Sequence, residues 1–330
     1  MRVLMTGGAG YVGSACLRYL LDRGHDAVAY DDLSEGNRAA VPGDRLIEGD
    51  IRDVDRLAGA IREHGAEVVM HFAALAIVPE SIREPDRYWD INVNGTRSIL
   101  KAMLATDARR LVFSSTAATY AFTDEQPITE RTPQEPQTPY GSTKLACERM
   151  IRDHAEGLGI GAAILRYFNA AGADADAPHG ECRRHETHLI PLILSVAAGT
   201  REKVLIYGDD WPTRDGTCVR DYVHVADLAQ AHLLAAEAIE PGRVAAYNVG
   251  NGEGTTVLEV LRACEKAVGR PIAHEFAERR PGDPAVLVAS PARLSEDLGW
   301  RPAFPHIDEI VATAWRWHRE HPQGYAGSPG

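Results

Sequence analysis

Short apolar runs alternate with amphipathic stretches through the first half of the chain. The runs are brief and bounded by polar residues or glycine, which is typical of buried parallel strands. The stretches between them place apolar residues at helical spacing. The pattern predicts strands over residues 3–5, 27–30, 68–72, 111–114 and 162–168, and helices over residues 11–23, 54–64, 88–104 and 139–156. Alternation of this kind predicts a doubly wound parallel sheet.

The pattern changes near residue 170. Residues 172–186 are rich in Ala, Asp, His and Gly, and a helix near 189–198 is followed by loops and a mixed C-terminal part. No internal repeat or low-complexity linker separates the two halves. We therefore predict an α/β fold, with a Rossmann-type doubly wound parallel sheet over residues 1–170 and a smaller C-terminal α/β substrate-binding lobe over 171–330, some segments of which return to the sheet.

A glycine-rich loop with the spacing G-x-x-G-x-x-G joins the first predicted strand to the first helix. Gly7 permits the tight turn, Gly10 lets the backbone approach a diphosphate, and Gly13 lets the helix pack closely. Asp31 closes the second strand, where a carboxylate can bind ribose hydroxyls and repel a 2′-phosphate. Alone, these features fit a flexible turn with an acidic surface residue, but together they predict bound NAD. The predicted cofactor residues here are Gly7, Gly10, Tyr11, Val12, Gly13 and Asp31.

Tyr140 and Lys144 lie four residues apart at the start of a predicted helix and share one of its faces. A nearby ammonium favours the phenolate form, so we expect a lowered pKa for Tyr140. The phenolate could then act as a general base that takes the proton of a substrate hydroxyl while hydride leaves the carbon that bears this hydroxyl. Thr116 ends a predicted strand, where ligands bind in open α/β sheets, and could relay the proton. Taken alone, the pair fits a solvated surface contact and the hydroxyl fits a strand-end cap. Together with the predicted NAD-binding glycine loop, however, these residues favour a catalytic role.

Composition narrows the class of partner. The formal net charge of -12 argues against a nucleic acid, whose binding needs a basic face. No segment reaches the roughly 20 apolar residues that cross a bilayer, so we predict no membrane partner. Five dispersed cysteines without a C-x-x-C pair are typical of reduced thiols in a cytoplasmic protein. The cluster of His179, Cys182, His185 and His188 matches no closed zinc site, so no metal is predicted.

The glycine loop, Asp31 and the Tyr140–Lys144 pair together resemble the extended short-chain dehydrogenase/reductase superfamily. Further strings are similar to those of the UDP-glucose (UDP-galactose) 4-epimerase family, and the likeness runs in order along nearly the whole chain. These strings are R-Y-F-N at 166–169, T-H-L-I-P at 187–191, G-D-D-W-P-T-R-D-G at 208–216, V-R-D-Y-V-H at 219–224, R-P-G-D at 280–283 and H-P-Q-G-Y at 321–325.

The resemblance implies a 4-epimerase that interconverts UDP-galactose and UDP-glucose through a transient 4-keto sugar, with Tyr140 as base and NAD regenerated in each cycle. It implies further cofactor contacts from Asp50, Ile51, Phe72, Ala73, Ala74, Asn92, Ser114, Phe168, Tyr140 and Lys144. It implies UDP-sugar contacts from Thr116, Tyr140, Asn169, His188, Leu189, Arg220, Arg280 and Asp283. From the residues alone, Arg220 and Arg280 fit surface ion pairs. The family pairs through two helices, here near 88–104 and 140–156, which implies a homodimer.

Departures from the family pattern leave the sugar open. Ala76 stands where a lysine is usual, Pro79 where a glycine is usual, and Thr116 where serine is more common. Leu287 occupies the position whose bulk helps admit or exclude an N-acetyl group, and its middling size decides nothing. An N-acetylhexosamine, a pentose or a uronic acid therefore remains an alternative sugar.

Two other activities and one non-enzymatic role are disfavoured. A nucleotide-sugar 4,6-dehydratase carries Asp-Glu directly after its threonine, whereas Ala117 and Ala118 follow Thr116 here. A UDP-uronic acid decarboxylase usually carries a glutamate beside that threonine, and this chain has none there. A non-catalytic NAD-binding protein would be expected to lose Tyr140 or Lys144, and both are present.

Overall fold

The computed structural model describes residues 1–174, 179–280 and 282–325. Pro281 of the R-P-G-D string and part of the loop at 172–186 lie outside these ranges. Within them the strands are, in chain order, β1 (Arg2–Thr6), β2 (Asp26–Asp31), β3 (Leu46–Glu48), β4 (Val68–His71), β5 (Arg110–Thr116), β6 (Gly161–Tyr167), β7 (Asn169–Ala171), β8 (Val204–Tyr207), β9 (Val219–Arg220), β10 (Tyr222–His224), β11 (Val244–Val249), β12 (Thr255–Thr256), β13 (His274–Ala277) and β14 (Val286–Leu287).

The α-helices of the described ranges follow the same numbering. They are α1 (Tyr11–Asp22), α2 (Val54–His64), α3 (Val78–Arg83), α4 (Pro85–Tyr88), α5 (Gly95–Leu104), α6 (Pro139–Leu158), α7 (Leu189–Ala197), α8 (Val225–Glu237), α9 (Val257–Val268), α10 (Ala292–Leu298) and α11 (Ile307–Glu320). Short 3-10 helices cover Arg38–Ala40 and Ala117–Thr119, and a π-helical turn covers Trp89–Asn94.

A seven-stranded sheet in the order β11-β6-β5-β4-β1-β2-β3 forms the centre of the molecule, and all its pairings are parallel. The chain order reverses between β1 and β4, which is the switch point where open α/β sheets bind ligands. The predicted fold class is confirmed. β11 comes from the second half of the chain and pairs with β6, so that half does return to the sheet. The division into domains at residue 170 stays a prediction.

Helices cover both faces of the sheet, which explains why its strands are apolar on both sides. Val3 and Met5 pack on the face covered by α1 and α8, whereas Leu4 packs on the opposite face, which α2, α5 and α6 cover. All three side chains are fully buried. A third apolar cluster joins α7, α9 and α11 beside the short pairs β10-β7 and β13-β8.

Local signals set most helix ends, and one predicted helix is broken. Asp53 caps α2 by accepting a hydrogen bond from the Arg56 N–H, and Gly65 ends it in the left-handed region. The helix predicted over 88–104 instead starts at α4, passes through the π-helical turn and continues as α5. β3 was not predicted, because two half-buried residues followed by an exposed one give too short a pattern. Among the described helices, none is both long and apolar enough to cross a membrane.

Candidate active site

The glycine loop is held so tightly between β1 and α1 that side chains cannot enter it. Gly7 has φ +73°, and a Cβ there would lie 2.4 Å from the backbone N of Ala73. A Cβ on Gly13 would lie 2.2 Å from the carbonyl O of Gly7. The first turn of α1 therefore packs directly on the loop. Its backbone N–H groups lack intrahelical acceptors and are available to an anion.

Asp31, at the end of β2, fastens the loop. Its carboxylate accepts hydrogen bonds from the N–H of Ala9 at 2.9 Å and from the N–H of Leu33 at 2.8 Å. Burial raises the pKa of this carboxyl, and the two N–H donors oppose that shift. Each carboxylate oxygen has a second lone pair, so the group can still accept from a ribose hydroxyl.

A cavity runs from the glycine loop along the ends of β2, β3 and β4, and we call it the glycine-loop cavity. Eleven of the predicted cofactor residues line it: Gly7, Gly10, Tyr11, Val12, Gly13, Asp31, Asp50, Ile51, Phe72, Ala73 and Ala74. It is also lined by residues for which no cofactor role was predicted, including Asn37, Leu75, Tyr167, Cys182, Arg183 and Tyr325. Tyr167 ends β6 beside the predicted Phe168, so the strand-end position was the signal that could have found it.

The first turn of α6 carries Tyr140 and Lys144. Thr138 caps this helix by accepting a hydrogen bond from the N–H of Gly141 at 3.2 Å, and Pro139 occupies its first turn. Tyr140 is 8% exposed and Lys144 is 3% exposed. The helix lies against the end of β5, where the Lys144 ammonium donates to the carbonyl O of Ser114 at 2.8 Å. The predicted trio of Tyr140, Lys144 and Thr116 is therefore brought together.

The electrostatics of Tyr140 differ from the sequence prediction. Burial raises its pKa to about 12, while the Thr116 hydroxyl and the charge of Arg183 act to lower it. Lys144 is turned toward a carbonyl, and burial lowers its own pKa to about 8. The prediction that Lys144 lowers the pKa of Tyr140 is wrong for this structure, because desolvation of the phenol outweighs the nearby charges.

A second cavity lies in the C-terminal part, and we call it the arginine cavity. Six predicted substrate residues line it: Asn169, His188, Leu189, Arg220, Arg280 and Asp283. The Arg280 guanidinium lies 3.9 Å from the ring centroid of Tyr207, which also lines the cavity and was not predicted. Arg220 donates to the carbonyl O of Pro284 at 2.9 Å and lies 3.7 Å from Asp283. Contacts with neighbouring residues therefore hold both arginine side chains in the wall of the cavity.

Asp221, the aspartate of the V-R-D-Y-V-H string, has a structural role. Its carboxylate is fully buried and accepts from the N–H groups of Asn251, Gly252 and Ala289 at 2.8 to 3.1 Å. Burial raises its pKa to about 6. This carboxylate ties the loop after β11 and the segment after β14 to the strand that carries Arg220.

An ion-paired cluster lies beside the arginine cavity. His188 Nδ1 lies 2.8 Å from Glu186 and 3.3 Å from Glu181, and Arg183 Nε donates to the same Glu181 oxygen at 2.7 Å. The three carboxylate and imidazole ligand atoms lie within 4.8 Å of one another. The guanidinium already neutralises Glu181, which favours an ion-pair cluster over a metal centre. His179, from the cysteine and histidine cluster, instead lies 2.7 Å from Ser14 Oγ through its Nε2.

Several predicted residues support the cavities from behind. Asn92 is buried, accepts from the Leu75 N–H at 2.9 Å and donates to Thr143. The Ser114 hydroxyl is buried 2.9 Å from His232 Nε2. Phe168 follows β6, and its N–H donates to the carbonyl O of Val249 at 3.3 Å. These three, with Tyr140, Lys144 and Thr116, are outside the linings of the two cavities.

Comparison with known proteins identifies the family. Residues 3–250 match the model of the NAD dependent epimerase/dehydratase family. The chain belongs to this family. It is 50% identical to the UDP-glucose 4-epimerase of Corynebacterium glutamicum, over 96% of this chain and 95% of that protein. It is 46% identical to the enzyme of Halalkalibacterium halodurans, over 99% of this chain and 98% of that protein.

Solved structures of the family agree with the fold. The UDP-glucose 4-epimerase of Brucella ovis in complex with NAD matches with a TM-score of 0.92 at 43% identity, covering 95% of this chain and 97% of that one. The enzyme of Bifidobacterium longum in complex with NAD+ and UDP matches with a TM-score of 0.92 at 36% identity, covering 98% and 99%. The resemblance to the UDP-glucose 4-epimerase family that the sequence predicted is confirmed.

Proposed function

We propose that this protein is an NAD-dependent 4-epimerase that interconverts UDP-galactose and UDP-glucose. The observation that carries the proposal is the placement of the buried phenol of Tyr140 beside Thr116 at the carboxyl end of β5, in a chain that also contains the glycine-loop and arginine cavities. A phenol at a strand end is positioned for proton transfer, and each cavity offers chemistry suited to one ligand.

The glycine-loop cavity fits NAD. Gly10 lines the cavity and carries no Cβ, so a diphosphate can approach the loop backbone closely. Asp31 is placed for a ribose and disfavours a 2′-phosphate. The apolar wall of Ile51, Phe72 and Leu75 suits flat aromatic rings. We propose that the eleven lining residues named above hold the cofactor, supported by Asn92, Ser114 and Phe168.

When bound, NAD supplies a positively charged nicotinamide ring that can take the hydrogen at the sugar C4 as hydride and return it. Tyr140 removes the proton from the 4-hydroxyl and gives it back after the sugar has turned. The Thr116 hydroxyl acts to lower the pKa of the phenol and so favours its ionised form. Lys144, fixed on the Ser114 carbonyl, contributes a buried positive charge under the site. Burial of these groups keeps bulk water from the 4-keto sugar.

The arginine cavity fits the nucleotide end of a UDP-sugar. Arg220 and Arg280 present guanidinium groups whose planar forks match diphosphate oxygens. Asn169, His188, Leu189 and Asp283 complete the proposed contacts. Holding the substrate by its nucleotide leaves the sugar free to turn about the diphosphate link, so either face of C4 can be presented to the same site.

The rival reactions lack their groups here. Ala117 and Ala118 after Thr116 form a 3-10 helix and carry no carboxyl, so a dehydratase or decarboxylase acid is missing at that place. The sugar itself stays open among UDP-hexoses, N-acetylhexosamines, pentoses and uronic acids. Leu287 pairs in register with Arg220, which lines the arginine cavity, and this supports a test of Leu287 as a residue that affects sugar choice.

We further propose a cytoplasmic homodimer. The proposed contact uses the outer faces of α5 and α6, which pack on each other. Trp89 at 42% and Leu158 at 52% exposure lie near the ends of these helices and offer apolar surface. Light scattering at working concentration is expected to give the mass of two chains. A single-chain mass would contradict the dimer without affecting the proposed reaction.

The direct test supplies the purified protein with UDP-galactose, without added NAD, and separates the products by chromatography. UDP-glucose is expected, with the same equilibrium mixture reached from either sugar. N-acetylated, pentose and uronic substrates then establish the range. Release of water or carbon dioxide, or no conversion of any UDP-sugar even with NAD added, would contradict the proposal.

A further inference from the structure

The glycine-loop cavity has an unusual balance of charge for a site that would hold a diphosphate. Its charged lining residues among those described are Asp31, Asp32, Glu35, Asp50, Arg52 and Arg183. Four acids would repel a diphosphate, and the helix N-terminus offsets only part of that repulsion. The two arginines therefore decide whether the cavity can attract an anion.

Arg52 is fully engaged in ion pairs. Its Nε and Nη2 bind Asp50, and its Nη1 binds Asp90 at 2.5 Å. These contacts lower the pKa of Asp50, first through the side-chain hydrogen bond with Arg52. A guanidinium that already serves two carboxylates has little left for a ligand. Arg52 thus balances the acids at its own end of the cavity.

Arg183 differs from Arg52 in how its donors are used. Within the described parts of the chain its one hydrogen bond is from Nε to Glu181, which leaves both terminal nitrogens without a protein acceptor. The side chain is 31% exposed and lines the glycine-loop cavity but not the arginine cavity. Glu181 therefore fixes one edge of the guanidinium, and the other edge remains available to a ligand.

The surroundings of Arg183 place it near the start of α1. Its charge acts to lower the pKa of three phenols, those of Tyr11, Tyr140 and Tyr167, against the burial that raises all three. Tyr11 is the first residue of α1, directly after the loop glycine Gly10. Arg183 also lines the same cavity as Gly10 and Tyr11, so its charge lies in the cavity that the first turn of α1 faces.

We propose that Arg183 binds the diphosphate of the cofactor and supplies the positive charge that the glycine loop lacks. Ala76 lines the same cavity and offers no charge, although the sequence resemblance leads one to expect a lysine there. The Arg183 fork would meet the phosphate oxygens opposite the N–H groups of the first turn of α1. The inference rests on the proposed function, because it takes NAD as the ligand of this cavity.

The test measures how fast NAD leaves the full-length protein after dilution, together with the NAD retained after gel filtration. Arg183→Gln is expected to weaken NAD binding by about 10- to 100-fold, as expected for loss of a charge-assisted contact. Arg183→Lys keeps the charge and should retain more NAD than Arg183→Gln. Arg184→Gln removes the same charge from the exposed neighbouring position and is the matched control, expected to behave as the wild type.

Two further measurements separate the possible reasons for a loss of NAD retention in Arg183→Gln. Calorimetry with UDP on the same proteins should give a much smaller loss of affinity than the loss for NAD, because Arg183 lies outside the lining of the arginine cavity and reaches it only through Glu181. Ala76→Lys added to Arg183→Gln returns a cation to the cavity and should recover part of the NAD retention. Wild-type NAD retention in Arg183→Gln, weakened UDP binding in its place, or no recovery with Ala76→Lys would each overturn the inference. A wild-type protein that holds no NAD would instead overturn the proposed function.

Discussion

The glycine-loop cavity and the arginine cavity are built in opposite ways. The first is made by loops that follow β1, β2, β3 and β4, each at the same edge of one sheet. The second gathers side chains from strands and loops as far apart in sequence as Asn169 and Asp283. The first presents the backbone of the glycine loop together with the side chains around it, and the second presents the charged ends of separate side chains. Backbone geometry suits a ligand that stays in place, whereas separate side chains suit one that enters and leaves.

The supporting contacts differ in the same way. The glycine loop is fixed by the hydrogen bond from the Ala9 N–H to Asp31 and by the absence of a Cβ at Gly13. The strand that carries Arg220 is fixed by Asp221, which draws together two segments from later in the chain. Disturbing the first should therefore alter cofactor retention, and disturbing the second should alter substrate affinity. Variants in each cavity can therefore be compared for these two effects.

Tyr140→Phe should have the largest effect while leaving both cavities intact. Loss of the phenol is expected to lower turnover by about 10²- to 10⁴-fold, the usual contribution of a general base. NAD retention and UDP affinity should stay near wild type, because the ring that packs against Tyr88 is kept. Steady-state kinetics with UDP-galactose measure turnover, and calorimetry measures the affinity for UDP. Tyr247→Phe on β11 is the control, and turnover of Tyr140→Phe close to the wild-type rate would contradict the proposed base.

Arg220→Gln should affect the arginine cavity alone. Losing one guanidinium from the diphosphate site is expected to raise KM for the UDP-sugar by about 10- to 100-fold. NAD retention should not change, since Arg220 does not line the glycine-loop cavity. The exposed Arg243, paired with Glu240, provides a matched Arg243→Gln control. Equal losses of NAD and UDP binding in Arg220→Gln would mean that the two cavities are not separate.

Gly13→Ala should affect the glycine-loop cavity alone. The new Cβ would meet the Gly7 carbonyl O at 2.2 Å, so the loop or the helix has to move. We expect a loss of about 1–3 kcal/mol in the free energy of unfolding and faster NAD dissociation, as for other overpacked sites. Gly59→Ala in α2 meets no atom within 4 Å and should instead stabilise by up to about 1 kcal/mol. Unfolding in denaturant and NAD retention measure both. A Gly13→Ala protein as stable as Gly59→Ala would contradict the packing argument.

The contrast between the cavities also explains what the sequence could predict. The glycine spacing and Asp31 act within one strand-loop-helix unit, so local pattern was enough to find them. Tyr140 and Lys144 share a helix face, which spacing alone implies. Tyr207 and Arg183 become visible only once distant segments are packed together. The direction of the Tyr140 pKa shift was missed because burial depends on all the neighbours of the ring, and no spacing reports them.

Histidines beside the two cavities differ in the sign of their pKa shifts. His232 lies behind the glycine-loop cavity, with its ring 4.7 Å from that of Phe72, and burial lowers its pKa to about 4. His188 lines the arginine cavity. Burial opposes its charge, but Glu181 and the hydrogen bond with Glu186 outweigh that effect and raise its pKa. The imidazole of His232 is therefore neutral in the folded protein near pH 6, where His188 carries a proton.

The opposite signs predict opposite effects on stability, which are the smallest we expect. His232 has a lower pKa folded than unfolded, so its contribution to stability is lost as pH falls from about 6.5 toward 4. His188 contributes fully below its unfolded pKa, and that contribution disappears as pH rises through the raised folded value. His232→Gln should flatten the acid-side fall in the free energy of unfolding, and His188→Gln should flatten the fall at higher pH. Denaturant unfolding at a series of pH values measures both slopes. If both substitutions changed the free energy of unfolding over the same pH range, the two histidines would not differ in electrostatic environment.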